Sequence, residues 1–454
     1  MKPVRIFVTL VLTFFVFIGF APTAWAFCGF YVAKADTKLY NQASQVAIAR
    51  DGNRTVLTMA NDFQGDVKDF AVVVPVPVVI KQDQVRVGDP KVMQRLDDFS
   101  APRLVEYFDS DPCAFNFEGA FATATASASA VGKSFTNSAL GVTVEARFTV
   151  GEYDIVILSA KESNGLETWL NRNGYRIPNG AQQLLGSYIR QNMKFFVAKV
   201  NLAELEKSGY KFLRPLMISY ESPKFMLPIR LGMVNAKQEQ DLIIYVLSPK
   251  GQAEITNYRT VKIPTDAEIP VSVKDKFADF YKAVFQTAYN NEGKNVAFLE
   301  YAWDTGFCDP CSADPLTPEE LKMAGVFWLT PSEPTNVFIT RLHVRYTRDK
   351  FPEDLMFQET SNRQFFQGRY IIRHPFTGGS TVPTVITQPN KQAAKPQPIK
   401  PIIIYVKPPI ALPQPRPPYD PNCPALYKKS LPARFEKEAQ TLAKLTGWKV
   451  QLKY

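Results

Sequence analysis

Histidine is nearly absent from this chain: 454 residues contain only His343 and His374. No His-Glu-X-X-His, Gly-X-Ser-X-Gly, phosphate loop or dinucleotide fingerprint occurs. The common metalloprotease, serine-hydrolase and nucleotide chemistries therefore have no motif to rest on. A hydrolase whose residues are dispersed along the chain stays open. Cysteine is sparse too, at five residues, and only Cys308 and Cys311 are closely spaced. One Cys-X-X-Cys is half of a zinc site, so no metal and no cofactor is expected. Beyond the first residues no apolar run approaches the roughly 20 residues of a spanning helix. Ile402 to Val406 is far too short.

Charge of one sign is lacking over the body. The net charge is +10, but Lys2 and Arg5 open the chain. Residues 391–454 hold twelve Lys/Arg against Asp420, Glu436 and Glu438. The body between is close to neutral, unlike a nucleic-acid binder. Attraction to an anionic surface is expected from the tail alone.

What is present begins with a leader. A basic start, the apolar run Ile6 to Phe20 and the small residues of Ala24-Trp25-Ala26 read as a signal peptide cleaved before Phe27. Retention as an anchor is the alternative. An extracytoplasmic location, periplasmic or secreted, follows. In such a compartment cysteines default to disulfides. Cys28, Cys113, Cys308 and Cys311 are the candidates; the odd count leaves at least one cysteine free or paired between chains, and connectivity stays open.

The spacing predicts an α+β fold. It has a β-rich, mixed or antiparallel body with a few packed helices, then a disordered proline-rich linker and a short C-terminal amphipathic helix. The expected segments are a leader at 1–26 and a β-rich region at 27–269, with a mobile Ala/Ser/Thr loop at 119–140. A second α+β unit follows at 270–376, then the linker at 377–431 and a basic helical tail at 432–454. Asp51-Gly52-Asn53 between alternating runs marks a hairpin. Pro75 and Pro77 confine Phe70 to Ile80 to an edge or bulged strand. A helix is expected over Lys91 to Phe108, with an interruption at Pro102, and a strand over Ile229 to Val234. Thr317-Pro318-Glu319-Glu320 is a capping box opening a helix. The tail helix is expected over Ala433 to Thr446, with Phe435, Ala439, Leu442 and Leu445 on one face and Gly447 as its stop.

Cys308-Asp309-Pro310-Cys311 invites a thioredoxin-like reading. That chemistry needs the first cysteine at a helix N-terminus, which lowers its pKa. Pro315 and Pro318 push the helix start to Thr317, so a structural staple is the favoured reading and redox catalysis by Cys308 and Cys311 the alternative. His343 lies in a strand-like run and reads as structural. Glu353-Asp354 and Asp109-Ser110-Asp111 read as solvated or capping acids in loops, with calcium binding or acid–base work as the alternative. The tail reads as a solvated helix, or as a docking element for an anionic envelope surface or a partner groove.

Several stretches together resemble a bacterial family, domain of unknown function 2330. They are Cys28-Gly29-Phe30, Phe70 to Pro77, Asp111-Pro112-Cys113, Trp169-Leu170 with Asn173-Gly174-Tyr175, Cys308 to Cys311, and Thr340 to Tyr346 with Glu353-Asp354-Leu355. The resemblance covers about residues 27 to 375. It implies an exported bacterial protein and carries no activity with it. The functional expectation is a non-enzymatic binding or scaffolding protein of the cell envelope, with a thiol-disulfide oxidoreductase as the alternative.

Overall fold

The computed structural model describes residues 30–33, 43–60, 70–113, 142–173, 181–209, 213–234, 239–309, 311, 313–330, 336–377 and 422–450. The leader, Cys28, the Ala/Ser/Thr loop at 119–140 and the proline-rich stretch up to residue 421 lie outside them. The fold is α+β with mixed sheets. The chain divides into two compact units. Unit 1 takes 1–102, 125–264 and 285–368; unit 2 takes 103–124, 265–284 and 369–454. Of the stretch 270–376 expected as a second unit, 270–284 and 369–376 fall in unit 2 and 285–368 in unit 1.

Unit 1 is built on a nine-stranded sheet. Its central strands run in the order Val296–Asp304, Phe338–Tyr346, Gln240–Ser248, Ala43–Asp51 and Arg54–Ala60. The last two form the expected hairpin, in which Asp51 pairs with Arg54 and Gly52 takes φ +56°. A two-residue turn needs that left-handed backbone, which glycine adopts without a Cβ clash. Helix Pro90–Ser100 covers one face with Val92, Leu96 and Phe99, against Ala47, Ala49, Leu247 and Ile339. Alone it is too short to persist. Burying three such side chains contributes roughly 5–9 kcal/mol, an upper bound, and that packing holds it.

The helix stops at Ser100, and Arg103–Phe108 is a strand, not the helix expected through Phe108. Pro102 disfavours helical backbone at Ala101, and Arg103, Leu104 and Val105 alternate in burial as a strand does. Residues 230–234, expected as a strand, form a 3-10 turn. Gly232 in that run weakens the β preference.

A second sheet of unit 1 has five strands: Phe30–Ala33, Phe70–Val76, Lys194–Val200, Tyr153–Ala160 and Val142–Val150. Strand Phe70–Val76 lies between Phe30–Ala33 and Lys194–Val200, so it is an interior strand and not the edge strand expected; among the described residues Pro75 pairs only with Phe195. That position tolerates a residue with no N–H.

Unit 2 contains a parallel three-stranded sheet of Ala267–Glu268, Arg369–His374 and Arg103–Phe108. Ile269, Phe280, Val284, Tyr370, Ile372 and Leu442 form its core. Leu442 comes from the C-terminal helix Cys423–Thr446. That helix starts ahead of the expected Ala433, inside the stretch assigned to the linker. Pro424 stands in its first turn, where a missing N–H costs nothing.

Candidate functional site

Alternation along strand Phe338–Tyr346 places Arg341, His343 and Arg345 on one face of the large sheet. The neighbouring strand supplies Asp241 opposite Arg345 and Tyr245 opposite Arg341. On the other side the ladder slips. Leu299 pairs with Leu342 and Tyr301 with Arg341, leaving Glu300 between them as a bulge. A bulge re-aims a side chain, and here Glu300 is turned fully buried against two cations. Arg341 donates Nε to its Oε2 at 2.7 Å, and His343 Nδ1 lies 2.8 Å from Oε1.

The network continues outward in both directions. His343 Nε2 is 3.0 Å from Asp241 Oδ1. Arg345 grips both oxygens of Asp241, each at 2.8 Å. Arg341 Nη1 donates to Asp97 at 2.6 Å, and the Tyr245 hydroxyl donates to the same oxygen at 2.8 Å. Phe285 stacks on the His343 ring at 3.8 Å. With His343 protonated, three cations face three carboxylates. A buried charge without such a partner would cost several kcal/mol.

Burial acts to lower the pKa of His343, but Glu300 and Asp241 overcome it and the net direction is upward. Burial likewise acts to raise Asp241, but the bonds from His343 and Arg345 bring it down to about 2. Both nitrogens of His343 face carboxylates, so each N–H of the protonated ring has an acceptor and the cation is the form these partners favour. The ring gains proton affinity on folding. Its contribution to stability is therefore complete below about pH 6.5, the unfolded value, and is lost as pH rises through the raised folded value. Thermal stability is expected to decline from neutral pH upward, and His343→Gln to flatten that slope. An unchanged slope in the variant would remove His343 from this role.

The Cys308–Cys311 loop follows strand Val296–Asp304. The two cysteines are bonded, with their Cα atoms 5.0 Å apart. Cys308 packs against the unit 1 core, while Cys311 is exposed. The next helix, Pro318–Met323, has the full Thr317/Glu320 capping box and begins well past Cys308. Beside the loop, Trp303 stacks on Phe365 at 4.4 Å, and Phe307 meets Phe365 edge-on at 5.2 Å. Phe307 is 45% and Phe365 40% exposed. Gln367 ties the loop down by donating to the Asp309 carbonyl at 2.7 Å.

In unit 2, Cys113 is bonded to Cys423, a partner that was not among the candidate cysteines. Asp109 is not a solvated acid: it accepts from the Tyr427 hydroxyl and from Arg434 Nη1, each at 2.5 Å. Asp354 of unit 1 is buried and accepts from Arg230 and the Tyr188 hydroxyl. The apolar face of the C-terminal helix packs within unit 2 through Ala439, Leu442 and Leu445. It is therefore not open to a partner groove.

Sequence reasoning missed Glu300, Arg341, Asp241 and Asp97 as a set. One signal was available. A lone glutamate inside Ala297-Phe298-Leu299-Glu300-Tyr301-Ala302-Trp303 is a charge in a buried strand, and such a charge demands a cation.

Among the described residues, no group of three or more His, Cys, Asp or Glu is placed to hold a metal ion, and no helix is long and apolar enough to cross a membrane. No curated protein and no solved structure matches the chain. A family model matches residues 22–358, which take in the sheet network, Cys113 and the Cys308–Cys311 loop but not the C-terminal helix. Over that span the chain belongs to the family described as uncharacterized protein conserved in bacteria, domain of unknown function 2330.

Proposed function

We propose that this is an exported binding or scaffolding protein of the bacterial cell envelope, which engages a protein partner at the aromatic face beside Cys308–Cys311. The leader and the two disulfides support export. The observation that carries the binding reading is the exposure of Phe307 and Phe365, one edge-on to Trp303 and the other stacked on it, next to a stapled loop. Aromatics and arginines dominate protein interfaces, and rings already held in place lose little entropy on binding. Arg363, paired with Asp304 at 2.8 Å, lies beside this face.

The competing reading is thiol–disulfide exchange at Cys308 and Cys311, and the exposure of Cys311 favours it. It needs a stabilised thiolate at the first cysteine. The following helix begins at Pro318 and supplies no dipole there.

A photo-crosslinking residue at position 307, introduced in native cells, is expected to trap one discrete protein. Binding of that purified protein is expected to weaken at least tenfold in Phe307→Ala and in Phe365→Ala. Adducts no more specific than those from exposed Glu436 would reject the aromatic face. A pair that cycles between thiol and disulfide in the same cells would restore the exchange reading.

A further inference from the structure

The C-terminal helix has two faces with different fates. Its inner face is spent within unit 2: Ala439 and Leu442 are buried, and Arg434 bonds Asp109 and approaches Glu438. Its outer face carries Lys429, Lys437 and Lys444, flanked by Lys428 and Lys449. All five are exposed, and among the described residues none is in an ion pair. Glu436 is the single exposed acid of the helix.

Spacing sets Lys437 and Lys444 on one line, while Lys429, eight residues before Lys437, lies to one side of it. Leu426, Ala433, Lys437 and Lys444 follow the seven- and four-residue steps that keep one face of a helix. Leu426, near one end, is 60% exposed, and Trp448, just past the Gly447 stop, is 36% exposed. Pro432 stands inside the helix between its two halves; a basic face with an apolar residue toward each end suits an anionic surface. Lysines meet headgroups there, while leucine and tryptophan enter the interface. We propose that the outer face of this helix, through Lys429, Lys437 and Lys444 with Leu426 and Trp448, docks unit 2 onto anionic phospholipid headgroups. This is independent of the aromatic face of unit 1 and stands or falls separately.

The attraction is electrostatic and short-ranged, decaying over about 8 Å at physiological salt. Removing three lysines is expected to weaken binding on the order of hundredfold.

The test is vesicle co-sedimentation of the full chain with its leader removed. Phosphatidylglycerol-containing vesicles are compared with pure phosphatidylcholine, at low and high salt. Binding is expected to the anionic vesicles only, and to fall with salt. The triple variant Lys429→Gln/Lys437→Gln/Lys444→Gln is expected to lose it, while Lys→Arg at the same three positions retains it. These side chains are exposed, so an unchanged melting curve verifies folding. Binding to neither vesicle, equal binding to both, or an unaffected triple Gln variant would overturn the proposal. The first of these outcomes would leave an acidic protein as the occupant of this face.

Discussion

Glu300→Ala is expected to destabilise unit 1 by about 3–5 kcal/mol, the range for removing one partner of a buried ion pair. The loss exceeds that of an ordinary surface bridge because one carboxylate serves two cations. Arg341 keeps Asp97, and His343 keeps Asp241, but each loses its deeper partner. Denaturant unfolding with an unchanged m-value measures the effect. The double variant Glu300→Leu/Arg341→Met is expected to recover much of the loss, because apolar replacement removes both buried charges together. A single-variant cost below about 1 kcal/mol would mean that water already reaches Glu300.

Cys113→Ser/Cys423→Ser is expected to cost unit 2 about 5 kcal/mol, since this bond joins positions 310 residues apart. Cys308→Ser/Cys311→Ser spans a separation of 3 and is expected to cost about 2 kcal/mol by the same loop-entropy account. Thermal unfolding without reductant compares the two variants. Hydrogen exchange over residues 423–446 locates the larger loss, which is expected to raise exchange there selectively. Equal losses from both pairs would reject loop entropy as the cause.

Local chemistry was legible along the chain wherever it acts between near neighbours. The Gly52 turn, the Thr317/Glu320 box and the Gly447 stop each satisfy a need within four residues. The network was not legible, because its bonds join residues 43, 102 and 244 positions apart. Nothing in a strand's own pattern says which neighbour it will meet. The register slip that turns Glu300 inward is likewise a property of the pairing, not of either strand. The C-terminal helix shows both sides of this limit. Its amphipathic pattern was plain, but the surface that uses its apolar face is assembled from segments near residues 104, 270 and 370.

That assembly has a consequence for biosynthesis. Strand Arg103–Phe108 finds its sheet partner only when Arg369–His374 exists, and Cys113 finds its sulfur only when Cys423 has been delivered. Unit 2 therefore cannot be completed until the segment 369–446 has been made. Until then Cys113 is a thiol in a chain that also contains Cys308 and Cys311, and exchange among them is the foreseeable error. A product cut before Cys423 keeps that thiol and leaves Tyr370 and Ile372 without Leu442. The final helix is thus what seals unit 2, by supplying both the sulfur that Cys113 bonds and the apolar cover over Tyr370 and Ile372.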